Sequence, residues 1–226
     1  MARAPAKPSS NTEIRRQERK RRERLRKQEV EERPAAASGG SAAHKGLTAW
    51  SHANITRTEG GSAFLDLTRS VVGSGGGCVL VAGEGIAIRE PGWWVAVLAF
   101  TGQVRLNAAG SAADWRVEPA IYWTGYKNGN NTGDHFVSHE LVLNKTLTNP
   151  TWEGLDGVVS TPPVRFAETP TGFSPEPKFS PYLYPSAEGA TAEAMAFGQA
   201  DASLDIDGFP SGTDVTTFAV YKVGEL

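Results

Sequence analysis

The 226-residue sequence predicts an all-β domain behind a charged N-terminal arm, and three observations carry that expectation. Val, Thr, Trp, Tyr and Phe dominate the second half, the residue types that suit pleated, half-buried strands. Short apolar runs recur there between Gly, Pro, Asn and Asp clusters, the pattern of an antiparallel sandwich or barrel. The charges divide sharply. Residues 1–33 hold 12 Lys and Arg against 6 Asp and Glu, and residues 34–226 hold 11 against 19, giving formal charges of +6 and −8.

The arm comes first. Residues 1–10 are too rich in Pro and Ala for a helix, but Ser10 followed by Glu13 forms a capping box, and the spacing predicts a helix from there to Arg33, closed by Pro34. Ile14, Leu25 and Val30 are not at heptad spacing, so no coiled coil is expected. Two readings of the arm stay open: a solvated helix stitched by pairs such as Glu18 with Arg22, or a docking arm that orders only against a partner. In the second, Arg15, Arg16, Arg19, Arg22 and Arg26 are the anchoring residues. Residues 34–46 are mostly Ala, Gly and Ser and read as a flexible linker of small residues. The β domain is expected over 47–226.

Within it, strands are expected near 63–72, 78–82, 86–89, 93–100, 102–107, 115–126, 135–143, 193–198, 202–207 and 215–223. The seven prolines of 161–185 argue against a central strand, so that stretch is expected as an excursion over the surface. From Trp93 to Phe100 both alternating sets of side chains are apolar, so both faces of that strand need covering. A neighbouring subunit or the Pro-rich excursion could supply the second cover.

Chemistry is sparse. Cys78 is the lone cysteine, so no intrachain disulfide is available. No N-terminal apolar run resembles a signal peptide and none approaches the length of a membrane span, so a soluble protein assembled in the cytoplasm is expected. The glycines of 73–77 precede a strand rather than opening a helix, and read as a turn, not a phosphate cradle. His135 and His139, four apart on a strand, would sit roughly 13 Å apart, too far for one metal ion; no metal or cofactor is expected. Asp205 and Asp207 share a strand face at about 7 Å, the spacing of a paired-acid glycosidase and also of any half-exposed strand, with a calcium site including Asp201 as a further reading. Trp115, Tyr122, Trp123, Tyr126 and Trp152 could stack on sugar rings, with Trp115, Tyr126 and Trp152 the chosen glycan contacts. The arm has no interleaved aromatics, so a nucleic-acid partner is not expected.

Three stretches carry a family likeness: Ile86-Ala87-Ile88-Arg89-Glu90-Pro91-Gly92-Trp93-Trp94, Ile121-Tyr122-Trp123-Thr124-Gly125-Tyr126-Lys127-Asn128-Gly129, and the closing Thr217-Phe218-Ala219-Val220-Tyr221-Lys222-Val223. Together they resemble the C1q and tumour-necrosis-factor-like jelly rolls, modules of a kind also common at the ends of tailed-bacteriophage fibres and minor tail proteins. The resemblance implies a homotrimer built through Trp93, Val95, Val97, Phe100, Phe218 and Val220. It also implies a non-enzymatic virion protein, at the tail tip or in a fibre, whose arm docks on other virion proteins and whose jelly roll is displayed toward a host-surface glycan. A capsid decoration or head fibre is the alternative, and a glycan depolymerase using Asp205 and Asp207 a second.

Overall fold

The structure, a computed structural model, describes residues 45–72, 76–107, 110–127, 130–169, 176–199 and 215–226. The arm, most of the linker, and the stretch containing Asp201, Asp205, Asp207 and the expected strand 202–207 lie outside the described residues. What is described is all-β, with every pairing antiparallel.

Two sheets face each other. The larger holds β1 (Gly46–Trp50), β2 (Ile55–Thr58), β3 (Arg69–Val72), β6 (Gly92–Leu106), β14 (Ala192–Ala196) and β15 (Thr217–Gly224), in the order β2-β14-β6-β15-β1-β3. On its free side β6 also pairs with β11 (Glu153–Ser160) and β12 (Val164–Phe166). The smaller sheet runs β4 (Cys78–Val81), β5 (Gly85–Ile88), β13 (Lys178–Ala187), β8 (Trp115–Lys127), β9 (Asn130–Ser138). A short ribbon joins β7 (Ser111–Ala112) to β10 (Leu147–Thr148). The chain crosses between the sheets from β3 to β4, β5 to β6, β6 to β8 and β9 to β11, and on both sides of β13, the winding of a jelly roll.

The core lies between the sheets and follows from strand alternation. On β6 the even residues Trp94, Ala96, Leu98, Phe100, Val104 and Leu106 are all buried, and they meet Val117, Ile121, Phe179 and Leu183 of the smaller sheet within one cluster. Phe166 and Phe179 join the two sheets edge to face at 5.3 Å. Cys78 belongs to this core, and burial pushes its thiol up to about 12, which leaves it protonated and unreactive at neutral pH.

Several expectations are corrected. The two strands at 93–100 and 102–107 are one, because Gly102 lets Met195 approach: a Cβ there would lie 2.0 Å from the Met195 carbonyl oxygen. The neighbour of β6 changes at this point from β15 to β14. Thr101 is kept satisfied across the change, its amide donating to Thr216 Oγ1 and its carbonyl accepting from Thr216 Oγ1 and Phe197 N.

The described parts of the Pro-rich stretch, 161–169 and 176–185, are not an excursion, for the first holds β12, paired with β6. The second enters β13, a central strand between β5 and β8. Pro181 and Pro185 are tolerated because odd residues of β13 turn their backbone away from β8. The Pro181 carbonyl accepts from Leu65 N, and Leu183 N donates to Ala63, on the opposite side from the β8 ladder. By the same alternation Pro185 costs that ladder no donor.

The expected strand 63–72 shrinks to β3 and an isolated bridge from Phe64 to Tyr182. The strand expected at 135–143 is β9, ending at Ser138, with Leu141 bridged to Val117. Strands β1, β2, β7, β10, β11 and β12 also lie outside the expected stretches. Gly46, expected in the linker, opens β1, where a Cβ would sit 2.7 Å from the Val220 carbonyl oxygen; the residue is glycine so that β1 can lie close to β15.

Candidate functional surfaces

Because β6 runs through the middle of the larger sheet, its odd residues project from the outer face beside those of its neighbours. Val95, Val97 and Ala99 are half-buried there, and Trp93 is 38% exposed. The register places Tyr221 opposite Val95, Ala219 opposite Val97, and Val158 opposite Ala99. Val158 and Tyr221 are 57% and 37% exposed. The result is an apolar strip across β11, β6 and β15, and no described residue of the Pro-rich stretch is paired over it.

Half of the expected interface belongs to this strip and half does not. Trp93, Val95 and Val97 face outward. Phe100, Phe218 and Val220 are fully buried between the sheets, since they carry the opposite parity on their strands, and so are core rather than contact residues.

At the end of the sandwich where β15 finishes, Lys222 points inward. Gly92 leaves the room, for a Cβ there would lie 2.2 Å from Lys222 Cε. The ammonium donates to Glu90 Oε1 at 2.7 Å and to Glu225 Oε2 at 2.5 Å, and Lys45 donates to both oxygens of Glu90. Hydrogen bonds from Lys222 and then Lys45 hold the Glu90 carboxyl below its ordinary range. Desolvation pulls the Lys222 pKa down, but Glu225 and Glu90 outweigh it and raise it. The cluster ties both ends of the described domain to the β5–β6 turn.

Glu90→Gln should therefore cost about 1–2 kcal/mol at pH 7, less than breaking a fully buried pair because Glu90 keeps some solvent. A carboxyl with a depressed folded pKa stabilises above its unfolded value near 4.3, and this contribution disappears as the pH falls through the lower folded value. Thermal melts of both proteins should differ at pH 7, and the gap should narrow as the pH falls below about 4.3; a constant gap down to pH 3 would contradict the assignment.

The expected glycan contacts are not brought together. Trp115 is buried, and its indole N–H donates to the Lys145 carbonyl at 3.0 Å, so it packs the core. Trp152 is half-buried, one ring face covered by the Arg105 guanidinium at 4.4 Å. The Tyr126 side chain lies outside the described residues. His135 is exposed and stacks on Trp123 at 5.6 Å. Among the described residues no group of three or more His, Cys, Asp or Glu is placed to hold a metal ion, and no helix is long and apolar enough to cross a membrane.

A second surface escaped the sequence. The even residues of β8 and β13 face outward from the smaller sheet, and there Tyr122, Phe136, Tyr182 and Tyr184 adjoin one another, with Phe64 beside Tyr182. Desolvation first, then the hydrogen bond to Tyr122, raises the Tyr184 phenol pKa. The signal was present in Tyr182-Leu183-Tyr184, whose spacing puts two rings on one face of a strand.

No protein-family model matches the chain, and no curated protein matches it. Among solved structures it is similar to the Eiger TNF from S. frugiperda, with a TM-score of 0.44 and 6% identity, over 81% of this chain and 95% of that one.

Proposed function

We propose that this chain is a display protein of a tailed-phage particle, at the tail tip or in a fibre, with a C1q/TNF-like domain that forms a homotrimer. The observation that carries the reading is the apolar strip of Val95, Val97, Ala99 and Val158 with Tyr221 at its edge. A contiguous apolar patch of this kind on an outer sheet face suits burial against another protein surface, and a second copy offers an equivalent one. The domain's role is binding rather than catalysis.

The division of charge supports attachment through the other part of the chain. Residues 1–33 carry a formal charge of +6 against −8 on residues 34–226. Arg15, Arg16, Arg19, Arg22 and Arg26 would meet acidic surfaces of other virion proteins. Immunogold labelling of particles with antibody to the domain tests the reading. Label at the tail tip or fibres is the expected result, label over the capsid would move the protein to the decoration class, and particles without label would overturn both.

A further inference from the structure

The aromatic row on the outer face of the smaller sheet has no part in the strip, the core or the arm. Tyr122 and Phe136, paired across β8 and β9, lie near-parallel with centroids 5.4 Å apart. Tyr122 and Tyr182 are 4.6 Å apart, Tyr182 and Tyr184 are parallel at 5.9 Å, and Phe64 meets Tyr182 edge-on at 5.5 Å. Phe136, on the edge strand, is 63% exposed, more than any other large apolar side chain described.

We propose that this row is a binding site for an uncharged oligosaccharide. Its composition separates it from the other sheet. The larger sheet presents Val95, Val97, Ala99 and Val158 between Trp93 and Tyr221, a mostly aliphatic face suited to burial against protein, whereas this row is wholly aromatic and three of its five rings end in a phenol. The C–H face of a pyranose packs on such rings while its hydroxyls reach polar groups at the edges. Those groups are at hand: Tyr184 donates to the Tyr122 hydroxyl at 3.3 Å, and Ser138 Oγ donates to Glu118 Oε1 at 3.2 Å, on the strands that carry the rings. The row crosses four adjacent chain segments at about 4.8 Å per step, so it is about 14 Å long, room for a short run of sugar units. The formal charge of −8 on residues 34–226 works against a polyanionic glycan and leaves a neutral one as the occupant.

The biological setting of this site rests on the display reading, but the binding is separable from it. The full chain is run through native gels cast with dextran, galactomannan or β-glucan, and with hyaluronan as the polyanion. Retardation by at least one neutral polysaccharide is expected, with the apparent dissociation constant raised about tenfold by Phe136→Ala and by Tyr182→Ala, and unchanged by Trp152→Ala. Phe136 is exposed enough that its loss leaves the fold intact, and light scattering of the same samples should show the wild-type mass. The proposal is overturned if no neutral polysaccharide retards the protein, if only hyaluronan does, if Phe136→Ala binds as wild type, or if Phe136→Ala lowers the mass, which would make this face a subunit contact. A monomeric wild type that still binds a neutral polysaccharide would sink the trimer and leave the site standing.

Discussion

Phe179→Ala is expected to lower the stability of the domain by about 3–5 kcal/mol, the range for deleting a buried aromatic ring. Phe179 is wholly buried, packs edge to face on Phe166 of the larger sheet, and adjoins Trp123 on its own sheet. Its removal leaves a cavity that two facing sheets cannot close without sliding. The substitution also probes the placement of the Pro-rich stretch. Were 161–185 a surface excursion, Phe179 would be a loop residue and its loss would change the urea midpoint little; as part of a central strand it should produce one of the largest shifts in the domain.

Gly102→Val should be nearly as damaging, at about 3 kcal/mol, the upper end of overpacking costs. No rotamer relieves it, because the clash is between Cβ and the Met195 backbone carbonyl. The side chain would push β14 off β6, and β2 pairs with β14 on its far side, so the disturbance should pass to the sheet edge. Faster amide exchange over Ala192–Ala196, with the far end of β6 still protected, is the expected signature; unchanged exchange there would contradict the register.

These two positions mark what could be read from the residues. The all-β class, the strands near 78–82, 86–89 and 115–126, and the strand at the C-terminus followed from alternation and β-formers, because packing and local preference agree there. Tertiary context decided the rest. Gly102 reads as a break only until its neighbour is known, and the prolines of β13 forbid a central strand only if their backbone faces a ladder. Strand β11, with its glycines and acids, lacks the usual composition, yet it pairs with β6 over eight residues. Its Gly157 makes space for Leu141, a contact invisible in sequence.

The surfaces were legible in part. Outward and inward sets on β6 both looked apolar, so Trp93, Val95 and Val97 could be picked out, but parity across β15 was needed to assign Phe218 and Val220 to the core. The aromatic row is assembled from residues 64, 122, 136, 182 and 184, on four segments brought together only by sheet order.

In the proposed assembly the outer strip of the larger sheet holds copies of this chain together. Light scattering of the full chain coupled to size exclusion tests it most directly, with Val158→Glu and Tyr221→Glu run alongside. The wild type should give about 72 kDa, three times the 24.1 kDa chain, and variants that stay folded by circular dichroism about 24 kDa, since a buried unpaired carboxylate in such a contact costs several kcal/mol. A wild type that elutes as a monomer at every concentration, or variants that keep the wild-type mass, would contradict it.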